Sequence, residues 1–166
     1  LAFLATAVFV SCSDDDPVTP STPDVDEVIA NLEKGIMNGT LEEDYTLSAS
    51  MAYDLSGSFI VADGATLTIP AGTNIVAEAG GTDVYLAVLM GGKIEINGTA
   101  SSPVIMSSPK ANPGDWGGLT ICGKATTTAG ANSEAEVGGF IYGGDDDTDN
   151  SGTVTYLEIK GTGAQI

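Results

Sequence analysis

The chain of 166 residues has no arginine and no histidine, and its five basic side chains are all lysines: Lys34, Lys93, Lys110, Lys124 and Lys160. Set against 23 acidic residues, that leaves a formal charge of -18. Such a surface repels nucleic-acid phosphates and anionic headgroups, so neither is expected as a partner through charge. It suits solubility, cations and neutral glycans. Without histidine, and with Cys12 and Cys122 as the only thiols, the usual four-ligand zinc set cannot be assembled. Aromatics are scarce, at 6%, and no apolar run reaches the roughly 20 residues that span a bilayer. Glycine is abundant, with 22 residues, in a chain whose 42% hydrophobic and 17% charged content is that of a folded domain. One domain is expected at this length, made of short strands joined by many turns.

The longest apolar stretch, residues 1–10, is interrupted only by Thr6 and leads into Ser11 and Cys12. It is too short to cross a membrane and reads as the hydrophobic region of a secretory signal. No initiating Met and no basic segment precede it, so residues 1–11 are expected to be part of a signal peptide. Residues 12–23 carry the run Asp14-Asp15-Asp16 and then Pro17, Pro20 and Pro23 among serines and threonines, the composition of an extended, solvated tether. In Phe9-Val10-Ser11-Cys12 followed by Ser13 and the three aspartates, the chain resembles the lipobox and acidic export signal of Bacteroidetes-type surface lipoproteins. Phe9 stands where that lipobox more often has leucine. The resemblance implies cleavage before Cys12, acylation of Cys12 as a membrane anchor, and display on the outer face of the outer membrane. Several acyl chains on one cysteine hold firmly where a single chain is marginal.

From residue 24 the pattern turns helical. Asp24 and Glu27 have capping-box spacing, Val25, Val28, Ile29 and Leu32 share a face, and Gly35 is a stop signal. Residues 24–38 are expected to form a short helical cap. Beyond Thr40 the period becomes two: Thr66-Leu67-Thr68-Ile69, Lys93-Ile94-Glu95-Ile96, Leu119-Thr120-Ile121 and Leu157-Glu158-Ile159-Lys160 alternate apolar and polar residues between glycine, asparagine or proline boundaries. These are half-buried strands. They also repeat. Val61, Gly64, Leu67, Ile69 and Thr73 align with Val88, Gly91, Ile94, Ile96 and Thr99, at an offset of 27 residues that falls to 26 by the threonines.

A strand-bearing repeat of that length predicts an all-β solenoid, a right-handed parallel β-helix over residues 39–166, whose turns stack to bury one continuous core. Ile159, on the alternating face of the last run, is then expected to point inward. The competing architecture is a β-sandwich, for which Asn38-Gly39, Asp63-Gly64 and Asn97-Gly98 would supply hairpin turns. The sequons Asn38-Gly39-Thr40 and Asn97-Gly98-Thr99 are read as turns rather than glycan sites.

Several motifs follow in order: Gly64-Ala65-Thr66-Leu67-Thr68-Ile69-Pro70-Ala71-Gly72-Thr73, Gly98-Thr99-Ala100 before Pro103-Val104, Gly114-Asp115-Trp116-Gly117-Gly118-Leu119, and Ser151-Gly152-Thr153-Val154-Thr155-Tyr156-Leu157-Glu158-Ile159. Their succession resembles the pectin-lyase-like β-helix lipoproteins of Bacteroidetes over roughly residues 53–166. Members of that group normally continue through further coils, so the chain, which stops at Ile166 in mid-coil, is expected to be truncated there.

Folds of this kind host polysaccharide lyases and hydrolases, so catalysis must be sought in residues. A uronate lyase wants an arginine or lysine base beside a neutralising cation, and here Lys93, Lys110, Lys124 and Lys160 are scattered singly. A hydrolase wants two positioned carboxylates, and Glu95 and Glu158 are not marked as a pair. Asp145, Asp146, Asp147 and Asp149 offer hard oxygen ligands of the kind Ca²⁺ takes, which makes this loop a candidate calcium site. Its plainer interpretation is an acidic solvent loop. Trp116, the only tryptophan, is a candidate sugar-stacking residue if exposed and a packing residue if buried. Cys122 reads as a small buried apolar side chain. No catalytic residue is assigned. The function expected is a non-catalytic binding or adhesion module on the cell surface, tethered to the membrane by its lipid and directed at glycans. The alternatives are the first part of a polysaccharide-degrading enzyme, or a structural spacer.

Overall fold

The computed structural model describes residues 25–164. Cys12, the apolar run before it, the acidic tether and Asp24 lie outside the described residues. Helix α1 (Val25–Leu32) buries Val28 and Leu32, one turn apart on the same face, against the first strand. Asp26 and Glu27 sit in its first turn, where the helix dipole favours negative charge. Gly35 ends the helical segment: its N–H donates to the Leu32 carbonyl at 3.0 Å and its φ is +80°. A Cβ at that position would stand 2.7 Å from the carbonyl oxygen of Ala52. Only glycine therefore lets the chain leave the helix and pass this close to its neighbour. The next residue already begins β1 (Ile36–Leu41), so the segment expected to be all cap contains the start of the first strand. Asn38-Gly39-Thr40 correspondingly lies in β1, at an irregularity in its pairing, and not in a hairpin turn.

Twelve further strands follow: β2 (Tyr45–Thr46), β3 (Ala52–Val61), β4 (Thr66–Pro70), β5 (Asn74–Ala77), β6 (Gly81–Val88), β7 (Lys93–Asn97), β8 (Val104–Ser107), β9 (Trp116–Ile121), β10 (Ser133–Glu134), β11 (Ile141–Tyr142), β12 (Gly152–Thr155) and β13 (Leu157–Lys160). All pair in parallel except the small hairpin β10–β11. One sheet runs β13-β8-β5-β3-β6-β9 with β1 also on β3; another runs β12-β7-β4-β2. The ten-residue β3 joins two ladders, its first half pairing with β5 and its second half with β6. The parallel strands thereby wind around a nearly closed cross-section, as in a β-helix. Three parallel ladders result: the second halves of β1 and β3 with β6 and β9; their first halves with β5, β8 and β13; and β2, β4, β7 and β12. A sandwich of two antiparallel sheets is not what these pairings build.

Alternation decides what goes inside. Leu67 stacks on Ile94 and Ile69 on Ile96, Phe59 on Leu86 and Val61 on Val88, Ile75 on Tyr53 and on Met106, and all are buried. The repeat offset read from the sequence is the register of β4 on β7 and of the end of β3 on β6. It fails at the threonines. Gly72 donates to the Ser102 carbonyl and Ile105 to that of Thr73, so Thr73 is matched near Pro103 and Val104, not at Thr99. A tight turn closed by the Thr99–Ser102 bridge adds residues between β7 and β8.

The two ends of the coil differ. At the first, α1 covers the core. At the other, β9, β12 and β13 have one edge without a paired strand among the described residues. Ile121, Val154 and Ile159 stack on the buried Val88, Ile96 and Met106, yet are 42%, 46% and 40% exposed. Ile159 thus faces the core side as expected, without being buried there.

Candidate functional site

Because β5 lies beside β8 and β6 beside β9, the β5–β6 and β8–β9 connections leave the coil at one corner. Between them is an open groove of about 280 Å³ lined by Ala79, Pro109, Lys110, Asn112 and Asp115. Its floor is tied down by backbone: Gly81 donates to the Asp115 carbonyl at 2.9 Å, joining the two connections, and Ala111 donates to that of Ser108 at 3.2 Å. The side chain of Asp115 is oriented from beneath. The buried Ser108 donates its Oγ to Asp115 Oδ2 at 2.6 Å, and the Asn112 N–H donates to the same oxygen at 3.0 Å. These bonds, the Ser108 hydroxyl first, hold the Asp115 carboxyl below its usual range, with Lys110 adding a smaller push in the same direction.

An ionised carboxylate accepts hydrogen bonds only, a lysine ammonium donates only, and an amide does both. The groove therefore presents a complete set for binding hydroxyl groups, on a corner whose backbone is fixed. It contains one carboxylate.

The residues singled out from the sequence fall elsewhere. Trp116 is fully buried, and its Nε1 donates to the Lys160 carbonyl at 2.8 Å. A sugar ring cannot stack on it, and of the two roles open to Trp116 from the sequence the buried position is the packing one. Its position next to Asp115 nonetheless fixes the end of the groove-forming connection.

The acidic loop is part of an excursion, residues 122–151, between β9 and β12. Three of its four carboxylates have protein partners: Asp149 Oδ2 accepts the Lys124 N–H at 2.8 Å, Asp147 Oδ1 accepts that of Thr126 at 3.0 Å, and Asp146 Oδ1 accepts the hydroxyl and N–H of Thr148. The Thr148 hydroxyl lowers the Asp146 pKa, and the Thr126 N–H lowers that of Asp147. These bonds zip the two ends of the excursion together. Among the described residues no three carboxylate or thiol groups converge as metal ligands, so Asp145, Asp146, Asp147 and Asp149 are not brought together as a calcium cage.

Glu158 pairs with Lys160 at 2.7 Å, Lys124 approaches Asp63 at 3.9 Å, and Lys93 and Glu95 lie on the other sheet. Cys122 is a buried free thiol whose pKa is raised by burial. The groove residues Ser108 and Asn112 carry no motif. The one local signal was the turn-forming run Asn112-Pro113-Gly114-Asp115, and Ala79 joins it only through the fold.

Residues 39–166 match the family model described as a pectate-lyase like beta helix domain. The chain belongs to that family. No curated protein and no solved structure matches the chain. Membership in the pectate-lyase-like β-helix family thus accounts for the parallel ladders and the stacked core, while the use to which this member puts its surface must be argued from the groove.

Proposed function

We propose that this pectate-lyase-like domain is a non-catalytic binding module of a lipid-anchored surface protein, and that it takes neutral glycans in the groove at Lys110, Asn112 and Asp115. The observation that carries the proposal is the pre-oriented Asp115 carboxylate, held by Ser108 and Asn112 at the mouth of a fixed corner. A site whose polar groups are already positioned loses little entropy when a ligand binds. The excess of negative charge favours uncharged sugars over uronates. With one carboxylate lining the groove, the binding reading is favoured over a two-carboxylate hydrolase.

The anchor proposed is Cys12, acylated after cleavage of residues 1–11, with the acidic tether presenting the domain on the outer face of the outer membrane. Among the described residues no helix is long and apolar enough to cross a membrane. The coil is proposed to be right-handed, the sense taken by nearly all crossovers between parallel strands of one sheet.

Isothermal titration against a panel of neutral gluco-, manno- and xylo-oligosaccharides tests the binding site. At least one should bind, and Asp115→Ala should weaken it tenfold or more. Equal binding by that variant would remove the groove from the account, and release of shortened sugars during incubation would favour the enzyme. Labelled palmitate should enter the protein in its host and be lost in Cys12→Ser; label retained in that variant would refute the anchor.

A further inference from the structure

The excursion after β9 folds back over the outer surface of β6 and β9. There Phe140 meets Tyr85 edge to face, with ring centroids 5.8 Å apart and planes at 68°. Both rings are half-buried, so each keeps surface for a ligand. Their arrangement is held by backbone. Gly117 admits the excursion, because a Cβ there would come within 3.1 Å of Val137 Cγ1 and 3.2 Å of Tyr85 Cβ. On the other side the Phe140 ring lies against Gly138, so closely that any side chain at Gly138 would collide with it.

This aromatic pair and the groove share a strand. Gly81, which donates to the Asp115 carbonyl, opens β6, and Tyr85 follows four residues later on the same strand. β6 bulges between them, so their partners on β9, Trp116 and Gly118, are only two residues apart, and at about 3.3 Å per residue the separation is roughly 7 Å. A hexose seated in the groove therefore leaves the aromatic pair to the next units of a chain. The two sites also have complementary chemistry. Sugars present hydroxyls at their rims, which the groove's carboxylate, amide and ammonium can bond, and C–H faces, which pack on aromatic rings.

We infer that Tyr85 and Phe140 form a second subsite, so that the domain binds a neutral polysaccharide chain laid along β6 from the Asp115 groove to the aromatic pair. The inference rests on the glycan reading of the groove. Asp83 and Asp115 against the single cation Lys110 make that path unfavourable for an acidic chain.

The test is the dependence of affinity on chain length. Gluco-, manno- and xylo-oligosaccharides of one to six units are titrated into the purified protein, with oligogalacturonate as the acidic comparison. Affinity should rise at least tenfold between one unit and about four. Phe140→Leu keeps an apolar side chain on Gly138 and Val137 but removes the ring; it should abolish the gain with length and leave the single-unit affinity unchanged. Asp115→Ala should weaken every length. An unchanged melting temperature for Phe140→Leu separates loss of the ring from loss of the fold, and Tyr85→Leu should reproduce its effect. Affinity that does not grow with length, or growth that survives both substitutions, overturns the second subsite and leaves the groove standing. Oligogalacturonate bound as tightly as the neutral chains overturns the assignment of ligand class. No binding by any neutral oligosaccharide overturns both this inference and the groove.

Discussion

Replacing Trp116 by alanine should be among the most damaging single changes in the domain. The indole belongs to β9 and bonds the carbonyl of Lys160 in β13, and these two strands are the opposite ends of the long sheet path. The side chain thus reinforces a closure that the backbone also makes, where the N–H groups of Gly114 and Trp116 donate to the carbonyls of Thr162 and Gly161. Deleting a buried aromatic costs about 3–5 kcal/mol. Trp116→Phe keeps most of the volume and leaves the Lys160 carbonyl without its donor, at about 1–3 kcal/mol. For a domain of this size each kcal/mol moves the melting temperature by about 2–4 °C. The alanine variant should then melt about 6–20 °C below the parent, and the phenylalanine variant about 2–12 °C below. Calorimetry or circular dichroism measures both. Because Trp116 is the only tryptophan, its emission gives an independent check: blue-shifted and shielded from acrylamide in the native state, red-shifted on unfolding. A Trp116→Ala variant melting within about 1 °C of the parent, or free quenching of the native protein, would refute the packing role.

Other perturbations separate the remaining readings. Asp149→Ala should cost about 1 kcal/mol by stripping the Lys124 N–H of its acceptor, and millimolar calcium should leave the parent melting curve unmoved; a calcium-dependent rise lost in Asp147→Asn with Asp149→Asn would reinstate a metal site. Asp146 and Asp147 have depressed pKa values in the fold, so the stability they add is complete above the ordinary value of 3.8 and lost as pH falls through the folded values. Melting temperature should accordingly show no change from them between pH 7 and 5 and a decline below about pH 4, shallower in Asp147→Asn; an equal decline in that variant would refute the assignment. Ile159→Lys should destabilise far less than Met106→Lys, measured by thermal unfolding, since Ile159 is 40% exposed and Met106 is 1% exposed. Equal destabilisation by the two changes would refute that difference in burial.

The core was legible because it depends on alternation, and alternation is local. Leu67, Ile69, Ile94 and Ile96 declare their face within five residues, and the 27-residue offset between them is also the register of the ladder. The same offset misled at Thr99, since a corner can lengthen without disturbing the strands on either side. β3 was less visible. Its burial alternates at both ends but lapses at Ser56, Gly57 and Ser58, where the strand passes from one ladder to the other, so its full length has no single period. The cap was read correctly as a helix but extended too far, because Gly35 closes the helix and admits β1 with no intervening loop.

The candidate site was illegible for a different reason. Asp115 appeared in a recognisable run, but its importance comes from Ser108 beneath it and from the N–H of Gly81, which arrives from a connection one coil earlier. Phe140 and Tyr85 meet across an excursion whose path no periodicity predicts. In a stacked coil the strands are fixed by repetition, and whatever distinguishes one member must be placed at corners and excursions, where loops tolerate change. Trp116 illustrates the consequence: beside a groove-forming aspartate and two glycines it has the sequence context of a binding residue, yet the register of β9 turns it inward. Neighbours along the chain could not have decided that. The decision lies with the adjacent strand β6, where the pairing of Gly81 with Trp116 sets which side of the wall each residue faces.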